Sequence, residues 1–219
     1  MSKRTFIGAM VVALAVVVLA GGLLASNMGF KLNYTLNRTL LGVSKSGKNT
    51  LSLPDQKGAV ATAKDLMNDI GFTSVANVQR FIESNDSWVT YTGRIGSAPN
   101  FNLGNEGYFV KMNSDVSYII AGADNPTLSV SLDRTALGTS KSGKNFYSFN
   151  YHQTAVTAKD LMNDIGFLSV ANVQRFIKSN DSWVTYTGRI GSGANFALVP
   201  GEAYFIKMNT TVVYTPSHY

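Results

Sequence analysis

Apolar and polar residues alternate along most of this chain. Phe30, Leu32, Tyr34 and Leu36 alternate with Lys31, Asn33, Thr35 and Asn37, the period-2 pattern of a half-buried strand. Val78, Arg80 and Ile82 alternate with Gln79, Phe81 and Glu83. Asn85-Asp86 then turns the chain and Trp88-Val89-Thr90-Tyr91-Thr92 returns, which predicts a hairpin. Gly107 opens a further strand at Tyr108–Met112, and residues 116–120 predict another. One segment has helical spacing instead. Thr62 stands three residues before Asp65, as in a capping box; Ala63, Leu66, Met67 and Ile70 share one face; Gly71 follows.

The whole pattern occurs twice. Trp88 recurs as Trp183, and Ser44-Lys45-Ser46-Gly47-Lys48-Asn49 recurs at residues 140–145. Residues 62–101 and 157–196 differ at only four positions, Thr73/Leu168, Glu83/Lys178, Ala98/Gly193 and Pro99/Ala194. Matching starts at Leu32 and Leu128, so each unit has about 95 residues. That exceeds the roughly 20–50 residues of a solenoid repeat and is enough for a small domain. The expected fold is mainly β: two tandem homologous β-sandwich or barrel-like domains, each with one short helix, following an N-terminal apolar helix. The expected boundaries are 1–25, 26–123 and 124–219, with the two domains as beads on a string.

The N-terminus changes the picture from cytosolic to exported. Lys3 and Arg4 precede an uncharged run over residues 6–25 that ends in small residues. This reads as a secretory signal peptide, or, at about 20 residues, as a retained helix long enough for an anchor or filament core. With no cysteine, disulfides, Cys-ligated metals and a lipoprotein anchor are excluded. Charged residues make up 15% of the chain, below the roughly 25% usual for soluble domains. The net charge is +6, but the cations are scattered and form no stripe for nucleic acid. Five sequons, at Asn33, Asn37, Asn85, Asn180 and Asn209, permit N-glycosylation in a host that performs it.

Candidate chemistry is sparse. Residues 42–49 approach the phosphate-binding G-x-x-x-x-G-K-[ST] loop, yet Asn49 replaces the hydroxyl that binds Mg²⁺, and a strand-like Thr50-Leu51-Ser52-Leu53 follows where a helix is needed. The motif therefore predicts a turn. His152 and His218 have no counterparts in the first unit. Asp65, Asp69 and Asp86 sit at a cap, on a helix and in a turn. No catalytic residue, cofactor or metal is expected, and the chain reads as a non-enzyme. The aromatics Trp88, Tyr91, Trp183 and Tyr186 either pack both faces of their strands or form a sugar-binding platform.

The repeated signature S-K-S-G-K-N, T-A-K-D-L, S-W-V-T-Y and G-E-A-Y-F-I-K-M, with the closing T-P-S-H-Y, resembles a recurring unit of secreted proteins from environmental bacteria and archaea. The resemblance covers both repeats. It implies export and a surface location, and it carries no catalytic residues. The functional expectation is an extracellular structural protein, a filament subunit assembled head to tail. In one route the strand at residues 128–132 completes the first repeat, and Phe30, Leu32, Tyr34 and Leu36 of another copy fill the second. In the other route, residues 6–25 form a helical filament core. The alternative is a two-domain monomer binding a polysaccharide or cell surface. The expected partner is another copy of the chain, with membrane contact only through residues 6–25 and no nucleic acid.

Overall fold

A computed structural model describes residues 30–38, 45–94, 99–134, 141–150, 152–189 and 193–218. The apolar run at 6–25, Ser44, Ser140, Ala98 and Tyr219 lie outside the described residues. The protein is mainly β, with two homologous units that each carry one short helix. The first unit holds β1 (Phe30–Leu36), β2 (Lys48–Leu51), α1 (Ala63–Ile70), β3 (Val75–Ile82), β4 (Ser87–Tyr91), β5 (Tyr108–Met112) and β6 (Val116–Gly122). The second holds β7 (Val130–Leu132), β8 (Lys144–Ser148), α2 (Ala158–Ile165), β9 (Val170–Ile177), β10 (Ser182–Tyr186), β11 (Ala203–Met208) and β12 (Val212–Tyr214). Among the described residues, no helix is long and apolar enough to cross a membrane.

Each unit is built from a four-stranded antiparallel sheet, ordered β2-β5-β3-β4 or β8-β11-β9-β10, and a separate two-stranded ribbon, β1-β6 or β7-β12. Helix and ribbon cover one face of the sheet. Ala63, Leu66, Met67 and Ile70 of α1 and Leu32, Tyr34, Leu36, Tyr118 and Ile120 of the ribbon close over Val78, Tyr108, Val110 and Met112. The capping box forms as the spacing predicts: Asp65 N–H donates to Thr62 Oγ1 at 3.2 Å, and Thr62 N–H to the Asp65 carboxylate at 2.9 Å. Ribbon and helix are tied by Tyr118, whose hydroxyl donates to Asp69 at 2.7 Å, and by Tyr214, which donates to Asp164 at 2.5 Å.

Two expectations are corrected here. Strand exchange requires residues 128–132 to complete the first unit. Instead, β1 pairs with β6 along its full length, and β7 pairs with β12 inside the second unit. The reason is register. Apolar residues of β1 sit opposite apolar residues of β6 (Leu32 against Ile120, Tyr34 against Tyr118, Leu36 against Val116), so one pairing places both apolar sets in the same core. Phe30, Leu32, Tyr34 and Leu36 are thus committed within their own chain. The second correction is that the units are not beads on a string. The uncovered faces of the two four-stranded sheets meet each other through Phe81, Trp88 and Phe109 on one side and Phe146, Phe176, Trp183, Ala203 and Phe205 on the other.

Candidate functional site at the seam between repeats

The seam follows from one feature of β5 and β11. Tyr108 and Val110 point into the first core, so Phe109 between them must point out of it; Phe205 does the same in the second unit. An outward Phe on a central strand needs a second cover. Phe81 crosses Phe205 edge-on at 4.9 Å between ring centroids, and Phe109 crosses Phe176 at 4.9 Å. These T-shaped contacts relate the two units by an approximate two-fold. Burying each such ring contributes about 1.5–3 kcal/mol, so the aromatics drive closure.

Polar turns set the register of that closure. Lys45 N–H donates to the Lys178 carbonyl at 2.8 Å, and its counterpart Lys141 N–H donates to the Glu83 carbonyl at 2.7 Å. Ser46 Oγ donates to Asp181 at 2.8 Å and Ser142 Oγ to Asp86 at 2.9 Å. The two aspartates reach across because their turns are built to aim them. Asn85 Oδ1 accepts from Ser87 N–H at 3.1 Å, Asn180 does the same for Ser182 at 3.2 Å, and Asp86 and Asp181 take φ of 56° and 55°. Aspartate tolerates that left-handed conformation better than most residues. The motif that approaches a phosphate loop is therefore an inter-repeat clasp. Asn49 explains its last position: Nδ2 donates to the Asn37 carbonyl at 2.9 Å and Oδ1 accepts from Asn37 N–H at 3.0 Å, tying the end of β1 to β2.

A cleft of about 350 Å³ opens at this seam, lined by Trp88 and Trp183, Asp86 and Asp181, and Lys48 and Lys144 over the phenylalanines. Both tryptophans are half-buried. Trp88 leans on Phe109 at 5.0 Å and Trp183 on Phe205 at 4.9 Å. Lys48 Nζ stands 5.8 Å from the Phe109 ring and Lys144 Nζ 5.7 Å from Phe205, within cation–π range. The four aromatics singled out from the sequence do not form one platform. Trp88 and Trp183 come together at the seam, whereas Tyr91 and Tyr186 pack against the separate cores of their own repeats. Sequence reasoning missed the lysines and placed Asp86 only in its turn.

A second cleft, about 520 Å³, flanks the first and shares Phe176 with it. Lys178 stands in its wall and donates to Asn37 Oδ1 at 2.5 Å and to the Thr35 carbonyl at 3.3 Å. Burial holds its ammonium below the usual lysine range. Arg175 binds Glu202 through two bonds, at 2.8 and 2.9 Å. The counterpart of Lys178 in the first repeat is Glu83. Burial, then Asp133 and Glu106, push its carboxyl up to about 7.

Residues 215–218 close a further polar cluster. Ser217 Oγ donates to Asp164 at 2.5 Å, and His218 Nδ1 lies 2.9 Å from Asp124. Neighbouring Asp55 is lifted to about 6, chiefly by burial. Among the described residues, no group of three His, Asp or Glu side chains is placed to hold a metal ion. No family model, curated protein or solved structure matches this chain.

Proposed function

We propose that this chain is an exported surface-binding module, acting as a two-repeat monomer, that takes a saccharide in the seam cleft. The observation that carries this reading is the meeting of two half-buried tryptophans with paired aspartates and lysines at one opening. A sugar ring has an apolar C–H face and a rim of hydroxyls. Indole offers a flat apolar surface for the face. Carboxylate and ammonium groups accept from and donate to the rim, and the cleft has the size of small-ligand sites, roughly 300–1,000 Å³. The basic start, the apolar run at 6–25 and the repeat resemblance support export. The filament alternative keeps only the route through residues 6–25, because both ribbons are closed within the chain.

The test is indole fluorescence during titration with oligosaccharides of glucose, galactose and N-acetylglucosamine, and of their uronic acids. Saturable change is expected, with Trp88→Phe and Trp183→Phe each weakening binding about tenfold, since a phenyl ring keeps the packing but reduces the stacking surface. Fibres in electron micrographs of the exported protein, or no response to any saccharide, would refute the reading.

A further inference from the structure

We infer that the saccharide is acidic, and that the flanking cleft is a carboxylate subsite in which Lys178 receives a uronate group. This inference rests on the saccharide reading above. Lys178 Nζ carries three donors, and the two bonds described go to neutral oxygens, the Asn37 amide and the Thr35 carbonyl. Among the described residues the ion pairs are Arg80–Glu106, Arg175–Glu202 and His218–Asp124, so Lys178 belongs to none. Glu202 also lines the cleft, but its charge is met by the two-bond fork from Arg175. The cleft therefore presents a half-buried cation whose charge is attracted only from a distance. Burial disfavours that ammonium, and an incoming carboxylate would relieve the penalty.

The first repeat supplies an internal control. At the counterpart of Lys178 it carries Glu83, the one charge reversal among the four differences over residues 62–101. The Glu83 carboxylate accepts a bond from the Phe146 backbone, and the Phe146 ring fills the seam. On the open flank the residue matching Phe146 is Thr50, which lines the cleft. The two flanks thus differ: one carries Glu83 beside Phe146, the other carries Lys178 beside Thr50 and an open cleft. A bland alternative is that Lys178 merely bridges the repeats. That role explains its bonds to Thr35 and Asn37 but not the open volume beside it. Because Phe176 lines both clefts, a sugar stacked at Trp183 lies next to the cleft that holds Lys178.

The test is calorimetric titration of the whole exported chain with oligomers of galacturonate and of glucuronate, each against its methyl ester, which has the same shape without the charge. Wild type should prefer the free acid by about tenfold, as for a charge-assisted hydrogen bond, and the preference should shrink with salt. Lys178→Gln should erase the preference for acid over ester; Lys178→Arg should retain it, which guards against a folding defect in the Gln variant. Equal binding of acid and ester, or an undiminished preference in Lys178→Gln, overturns the acidic subsite and leaves the saccharide reading standing. Binding of neither form by any variant overturns both.

Discussion

The two repeats agree over the helix, the hairpin and most paired positions of the seam, and three of their differences fall where the repeats touch. The helix, its cap, its stop and the hairpin that follows are nearly the same sequence in both. Along the seam, Thr50 faces its task as Phe146, Gly107 as Ala203, and Glu83 as Lys178. An approximate two-fold axis explains the Gly107/Ala203 difference. A residue near the axis meets its own counterpart, and two equal side chains cannot fill one space. A Cβ added at Gly107 would lie 2.4 Å from Ala203 Cβ and 3.0 Å from the Phe146 ring, so the axis has room for one methyl, not two. Identical halves would close imperfectly; small differences at the contact let nearly identical halves pack.

That comparison can be broken most severely at Phe146. Phe146→Ala should cost about 3–5 kcal/mol in urea unfolding, because a fully packed ring leaves a cavity, while the matching Thr50→Ala should cost less than about 1 kcal/mol. Equal costs would show that the two positions do the same job. Gly107→Ala should be milder, about 1–3 kcal/mol by overpacking. Adding Ala203→Gly should recover part of it, and simple additivity of the two changes would argue against direct contact.

The smallest effect concerns charge. Glu83 is lifted to about 7, above the ordinary value of about 4.3. The folded chain therefore keeps a proton that the unfolded chain releases. This contribution is full below about pH 4 and is lost as pH rises toward 7. Glu83→Gln should flatten the fall in melting temperature between pH 4.5 and 7. A shallower slope should remain from Asp55, lifted to about 6 by burial and by Asp124. An unchanged pH profile would place the Glu83 carboxyl in water.

Much of each repeat was legible because its rules are local. The alternation at Phe30–Leu36 marks β1 to the residue, with Leu32, Tyr34 and Leu36 inward. The Thr62 and Asp65 spacing marks the start of α1, and Asn49 rejects the phosphate-loop reading. The seam was harder to read because its cause is not local: whether an outward face meets water or another sheet depends on residues about 95 positions away. The signal was nonetheless present in Tyr108-Phe109-Val110. Three successive large apolar residues demand cover on both faces, whereas the beads-on-a-string expectation rested on the length of each unit, about 95 residues. The partner of β1 was misjudged for a similar reason. Two strands, residues 116–122 and 128–132, compete for neighbours, and only cross-strand matching of apolar residues separates them.

The face-to-face seam also constrains how many units such a chain can carry. In a solenoid, each unit offers a new surface to the next, and the array grows by single steps. Here the aromatic face of one unit is consumed by the other, and the opposite face is already sealed by helix and ribbon. A third unit would arrive with an uncovered aromatic sheet and nothing to set it against. Growth by duplication is therefore a matter of parity: units come in couples, and a longer relative of this architecture would be a string of closed pairs.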